Sequence, residues 1–203
     1  MNYLAIDTSG TWLTVIVGGE KNAMRFTPDC RLSHSVVLMD EIEKCLEEAG
    51  ARIEDMDVFA CSVGAGSFTG IRIGVSTVKA FAYALGKKVL PVTTFDSLAY
   101  NIGNGKKRLA LIDARHGNYY ACGYGEDGTI VLPPKFIGEE EVKSLADGYL
   151  LVSDAPQTAF ACVTADVADG FKKAVEGNLH NATYDRETVV PLYVKKSQAE
   201  EEL

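Results

Sequence analysis

One pattern occurs twice along this chain and limits the folds that it can adopt. Residues 4–9 (Leu-Ala-Ile-Asp-Thr-Ser) end a strand-like run with Ile-Asp, and residues 109–115 (Leu-Ala-Leu-Ile-Asp-Ala-Arg) do the same. Each segment is followed by a second alternating stretch, a glycine-rich turn and a third strand-like stretch. An ordered repeat of this kind indicates an internal duplication. We therefore predict an α/β protein with two duplicated lobes, the second one reduced, that face each other across a ligand cleft.

A short polar segment separates the two repeats. Residues 103–108 (Gly-Asn-Gly-Lys-Lys-Arg) have the composition of a linker, so we predict one domain at residues 1–103 and a smaller one at 109–203. In the first domain, periodicity predicts strands at 3–7, 12–17, 23–27, 58–63 and 88–92 and helices at 35–49, 71–85 and 95–102. In the second domain it predicts helices at 139–146 and 165–176 and a strand at 149–153.

A glycine-rich loop lies between the strand at 58–63 and the helix at 71–85. Glycines let backbone N–H groups approach an anion, and the helix N-terminus behind them adds roughly half a positive charge, so such loops bind phosphates. This loop has no Gly-Lys-Ser/Thr sequence, however, and is therefore no P-loop. Its alternative role is tight packing against the turn at residues 7–9. Both roles stay open for Gly64, Gly66, Ser67, Thr69 and Gly70.

The turn at residues 7–9 offers a carboxylate and two hydroxyls at the end of a strand. Asp7, Thr8 and Ser9 could orient a phosphate and a metal ion, or they could bind their own backbone as a turn. A two-lobed ATP enzyme also needs a loop in the other lobe that binds the distal phosphates or the adenosine. The corresponding segment at 151–157 contains no glycine. The enzyme alternative is a small ATP-dependent phosphotransferase with Asp7 as general base. A peptidase is a third alternative, but this sequence has no nucleophile and base at a spacing that would support it.

Composition and charge exclude further classes of protein. A net charge of −8 argues against a large surface for nucleic acid on the chain alone. His34, His116 and His180 have no spacing that would let them share a metal ion, and the five cysteines include no C-x-x-C pair. We therefore predict neither a metal site nor a catalytic residue. The N-terminus lacks a signal peptide, and no apolar run approaches the ~20 residues of a membrane span, so we predict a cytoplasmic protein.

Two predicted helices carry more apolar surface than one sheet can cover. In the helix at 35–49, one stripe fits a sheet, whereas Leu32, Val36 and Met39 lie to one side of it. The helix at 71–85 is apolar all round, which predicts that it is covered on two sides. Arg72, at its start, could meet an anion at the loop, a carboxylate on a neighbour, or solvent.

Five segments, taken in order along nearly the whole chain, resemble the TsaB family, the bacterial dimerisation subunit of the tRNA threonylcarbamoyladenosine synthesis complex. The most specific is Gly-Ser-Phe-Thr-Gly-Ile-Arg-Ile-Gly at residues 66–74. The others are residues 4–9, 31–35 (Arg-Leu-Ser-His-Ser), 112–117 (Ile-Asp-Ala-Arg-His-Gly) and 191–200 (Pro-Leu-Tyr-Val-Lys-Lys-Ser-Gln-Ala-Glu). Two departures are that Ala65 stands where the family has proline, and that the second lobe lacks glycines near Ser153.

The resemblance implies a fold, a function and partners. The fold is that of actin, Hsp70 and the sugar kinases, and the chain is a non-catalytic subunit related to the catalytic protein TsaD. It implies binding to TsaD, or to a second copy when alone, and a third subunit, the ATPase TsaE. The complex transfers threonylcarbamoyl to an adenosine beside the tRNA anticodon. The chain itself is expected to reach tRNA only through the complex and to hold no cofactor, with ATP bound, if at all, in the assembled complex.

The implied contact with TsaD is a helical surface of the first lobe. Its predicted members are Leu32, Val36, Met39, Ile71, Arg72, Val75, Val78, Lys79 and Ala82. Asp7, Thr8, Ser9 and the glycine loop are then expected to be remnants of a nucleotide site.

Overall fold

The first sheet of the protein combines a meander with two parallel strands. The computed structural model describes residues 1–30 and 33–195. Strands β1 (Tyr3–Asp7), β2 (Leu13–Gly18) and β3 (Ala23–Thr27) pair antiparallel. Strand β4 (Val58–Ser62) then joins β1 in parallel and β5 (Lys88–Val92) joins β4, which gives the order β3-β2-β1-β4-β5. The strands predicted at residues 3–7, 12–17 and 23–27 are confirmed, and they form this meander.

The second sheet repeats this design strand for strand. Its strands are β6 (Arg108–Asp113), β7 (Asn118–Tyr124), β8 (Ile130–Gly138), β9 (Leu150–Ser153) and β10 (Val163–Thr164). Their order is β10-β9-β6-β7-β8, with β6, β7 and β8 antiparallel and β9 and β10 added in parallel. The internal duplication predicted from the Ile-Asp repeat is confirmed, and the second copy is reduced because its last strand has only 2 residues.

Among the described residues, four α-helices connect strands and a fifth follows β10: α1 (His34–Ala49), α2 (Phe68–Leu85), α3 (Thr94–Tyr100), α4 (Glu139–Leu145) and α5 (Val167–Asn178). The helix predicted to end at residue 49 does so, and Gly50 follows it in the left-handed conformation. Ser33 stands at the N-cap of α1, but its side chain makes no capping hydrogen bond. Helix α2 begins earlier than predicted, because the Ser67 side chain accepts a hydrogen bond from the N–H of Gly70.

Each repeat packs one of its helices against the sheet of the other repeat. Helix α3, which we expected to complete the first lobe, packs its Phe95 and Leu98 against the second sheet. Helix α5 of the second repeat packs Phe171 and Val175 against the first sheet. The placement of α3 in the first lobe was therefore wrong, because α5 already covers that face. The Tyr124 hydroxyl of β7 also donates to Asp96 of α3 at 2.8 Å and holds that helix on the second sheet.

A C-terminal strap, defined here as residues 183–193, returns from α5 to the first lobe. Thr183 forms an antiparallel bridge with Val89 on β5, the edge strand of the first sheet. Val189 is fully buried in the first core, and the N–H of Leu192 donates to the carbonyl of Val63 at 2.7 Å. The strap also contacts α2, since Arg186 donates to the carbonyl of Ala82 at 3.1 Å. The second apolar side of α2 was expected to be covered, but in this chain alone Ala80 and Ala84 are exposed.

Candidate functional site

The carboxylate of Asp7 is enclosed by its own turn. Asp7, Thr8 and Ser9 are all 0% exposed. Oδ1 of Asp7 accepts hydrogen bonds from the N–H and the hydroxyl of Ser9 at 2.8 and 2.6 Å, and Oδ2 accepts one from Nε1 of Trp12 at 2.9 Å. Each carboxylate oxygen therefore already has a donor from the chain. Of the two roles left open by the sequence, this geometry favours the turn over a general base.

A chain of hydroxyls extends this polar cluster across the carboxyl ends of the parallel strands. The Thr94 hydroxyl donates to that of Ser9 at 2.9 Å and lies 3.1 Å from the hydroxyl of Ser62. All of these side chains are buried. Sequence reasoning missed Ser62 and Thr94. The available signal was their position, because Ser62 is the last residue of β4 and Thr94 comes two residues after β5.

The glycine loop packs directly onto that turn. A Cβ on Gly66 would lie 2.2 Å from the carbonyl oxygen of Ser9, and one on Gly70 would lie 2.0 Å from that of Thr8. The N–H of Ser67 donates to the Ser9 carbonyl at 2.6 Å. The loop and the turn are thus in direct backbone contact, with no space for a phosphate between them.

The two remaining residues of the predicted nucleotide loop differ in position. Gly64 has a φ of +106°, and its carbonyl accepts from the N–H of Thr94 at 2.7 Å, so it belongs to the same packed cluster. Thr69 is exposed and points away from the cluster into a groove between α1 and α2. The structure therefore brings together seven of the eight predicted loop and turn residues: Asp7, Thr8, Ser9, Gly64, Gly66, Ser67 and Gly70.

The predicted cleft between the lobes is present, with a volume of about 810 Å³. Ser9, Gly66 and Ser67 line it from the first lobe, and Asp113 and Asp154 from the second. Burial raises the pKa of Asp154 to about 6. Arg115 lines the same wall, so the second lobe contributes two carboxyl groups and one guanidinium to the cleft. Among residues 1–30 and 33–195, no three His, Cys, Asp or Glu side chains are placed to hold a metal ion.

Asp154 should make stability depend on pH. Between its ordinary pKa of 3.8 and about 6, the folded chain keeps a proton that the unfolded chain has released. Its contribution to stability therefore falls as the pH rises through this window and stays low above it. We expect Asp154→Asn to be as stable as wild type near pH 4 and more stable at pH 7.5, by up to about 3 kcal/mol. Urea unfolding at both pH values measures this, and identical differences at the two would contradict it.

The surface that we predicted for partner binding is only partly exposed. Val36 and Met39 of α1 are 75% and 53% exposed. Leu32 lies outside the described residues. Four members on α2 were placed wrongly, because they face the first sheet and are buried in its core: Ile71, Val75, Val78 and Ala82. Lys79 lies at the edge, 3.8 Å from Glu187 of the strap.

Instead of a continuous apolar surface, the structure has a groove of about 570 Å³ between α1 and α2. Leu38 and Met39 line it from α1, and Arg72, Ile73 and Ser76 line it from α2. Ala80 continues the exposed side of α2 beyond the groove. The sequence could not identify this side, since α2 is apolar on every face.

No helix among the described residues is both long and apolar enough to cross a membrane. The duplicated sheets and the cleft between them define an α/β protein with the fold of actin, Hsp70 and the sugar kinases, as predicted. The structure of an uncharacterized Pseudomonas aeruginosa protein with similarity to peptidase YeaZ has this fold. It superposes with a TM-score of 0.78 at 24% identity, over 96% of this chain and 99% of that one.

Sequence comparison identifies the family. The family model described as TsaD, tRNA N6-adenosine threonylcarbamoyltransferase, matches residues 28–185. The tRNA threonylcarbamoyladenosine biosynthesis protein TsaB of Buchnera aphidicola is 26% identical over 74% of this chain and 77% of its own length. TsaB of Escherichia coli is 29% identical over 68% of this chain and 65% of its own length. The chain therefore belongs to the family that this model describes, and its predicted resemblance to the TsaB proteins within it is confirmed.

Proposed function

We propose that this chain is a non-catalytic subunit of a tRNA threonylcarbamoyladenosine synthesis complex. In this role it binds a TsaD-like catalytic subunit and supports its active arrangement. A TsaE-like ATPase completes the complex, tRNA is reached only through it, and the chain works in the cytoplasm. When the catalytic subunit is absent, two copies of the chain pair through the same helices.

The exposed groove between α1 and α2 carries this proposal. Val36, Met39 and Ala80 leave apolar surface in water beside it, and exposed apolar surface costs about 25 cal/mol per Å². Contact with another helical protein would remove that cost. The enclosed carboxylate of Asp7 supports the non-catalytic part of the proposal, since its oxygens already accept hydrogen bonds from Ser9 and Trp12.

The helical surface is tested by placing a charge on each of its two helices. Met39→Lys and Ala80→Lys change exposed positions, so both variants should fold normally, and each should weaken binding to the TsaD-like subunit of the same organism at least tenfold. Calorimetric titration gives the dissociation constants, and circular dichroism checks the fold. Ile130→Lys, at an exposed apolar position of β8, is the matched control and should bind as wild type does.

Unchanged affinity of both the Met39→Lys and the Ala80→Lys variants would rule out this surface. Tight binding of Mg-ATP by the isolated chain would instead support the phosphotransferase alternative, with the nucleotide in the cleft between the lobes.

A further inference from the structure

Arg72 is the one charged residue among the described residues that line the groove between α1 and α2. The described lining residues are Ser35, Leu38 and Met39 of α1 and Phe68, Thr69, Arg72, Ile73, Ser76 and Thr77 of α2. The groove is therefore apolar and hydroxyl-lined, with a single positive charge near the N-terminal end of α2.

The side chain of Arg72 is held in place from two directions. Its guanidinium carbon lies 3.7 Å from the centre of the Phe68 ring, and its Nε donates a hydrogen bond to the Tyr193 hydroxyl at 2.8 Å. The rings of Phe68 and Tyr193 stack on each other with their centres 4.7 Å apart. The C-terminal strap thus ends in a tyrosine that fixes this arginine, which lowers the entropy cost of using it in binding.

The terminal nitrogens of Arg72 have no partner among the residues that the structure describes. Within residues 1–30 and 33–195, Arg72 forms no ion pair, and its hydrogen bond to Tyr193 uses Nε alone. An arginine whose planar group is stacked and oriented presents its outer N–H groups in the geometry that binds a carboxylate with two parallel hydrogen bonds.

We propose that Arg72 binds a carboxylate on the helix that the TsaD-like subunit places in this groove. This inference rests on the proposed function and adds the chemistry of the partner: a helix with apolar side chains for Leu38, Met39 and Ile73, and an aspartate or glutamate beside them. Tyr193 is a positioning residue, since it acts through Arg72. Charge complementarity at this point then selects acidic helices over other apolar ones.

The test combines affinity with its dependence on salt. Arg72→Gln should weaken binding of the TsaD-like subunit on the order of 10- to 100-fold at low salt. Wild-type affinity should fall between 50 and 500 mM NaCl, and the variant should lose most of that dependence, because salt screens an ion pair and leaves apolar contact intact. Tyr193→Phe keeps the ring stacking and removes the hydrogen bond, so it should give a smaller loss in the same direction.

Lys106→Gln is the matched control, because it removes one positive charge from the exposed linker and should leave the affinity and its salt dependence unchanged. If Arg72→Gln binds with wild-type affinity and salt dependence, the carboxylate is ruled out while the proposed function stands. If it weakens only the self-association of the chain in sedimentation, the occupant is a second copy and the inference is wrong. If the wild-type chain does not bind the TsaD-like subunit, both proposals are wrong.

Discussion

Val78→Asp is expected to unfold the chain rather than to abolish partner binding alone. Val78 is 0% exposed and packs in the first core between α2 and the sheet. An aspartate there would bury a charge without a partner, which costs at least about 4 kcal/mol. A loss of that size or larger approaches the whole stability of a domain at the lower end of the ordinary range, roughly 5–15 kcal/mol. Urea unfolding followed by circular dichroism measures the loss.

Val36→Asp provides the comparison for this result. Val36 lies on α1 and is 75% exposed, so the same substitution should change the free energy of unfolding by only about 0.5 kcal/mol. A Val78→Asp variant that kept wild-type stability would mean that this side of α2 is surface, contrary to the structure.

Gly70→Ala is expected to destabilise the protein strongly even though alanine is the better helix former. Gly70 lies in the first turn of α2, where helix propensity alone predicts a gain of about 1 kcal/mol. The added methyl group would lie 2.0 Å from the Thr8 carbonyl oxygen, which is backbone and has little freedom to move. We expect a net loss of about 3 kcal/mol or more, measured by urea unfolding.

A second alanine in α2 separates helix propensity from contact. Ser76 is exposed in the same helix, and Ser76→Ala should raise the stability slightly. Equal stability of the Gly70→Ala variant and wild type would show that the loop and the turn can separate at little cost. That result would reopen the space between them to a phosphate.

The fold was predictable wherever the signal was local or repeated. The Ile-Asp repeat predicted two similar lobes, and periodicity predicted the end of α1 at residue 49 and the strands of the first meander. The motif at residues 66–74 was the most specific sign of the family. Each of these depends on neighbouring residues or on the order of segments, and both can be read from one sequence.

The buried side of α2 and the partner of α3 were not predictable in this way. Residues Ile71 and Val78 lie on the sheet side, yet Ile73 and Ala80 are also apolar, so periodicity does not distinguish the two faces. The position of α3 depends on α5, which comes about 70 residues later in the chain and covers the first sheet. The enclosure of Asp7 likewise depends on Trp12 and Ser9 meeting it in the folded turn.

The exchange of α3 and α5 also determines how the cleft can move. Two-lobed proteins that close on a ligand rotate their lobes about a hinge. Here α3 is attached to the second sheet by Phe95 and α5 to the first by Phe171, and both side chains are fully buried. The crossing is close, since a Cβ on Gly170 of α5 would lie 2.1 Å from the carbonyl oxygen of Ser97 on α3. The contact between α3 and α5 therefore joins the two lobes, and any change in the width of the cleft has to turn these two helices against each other.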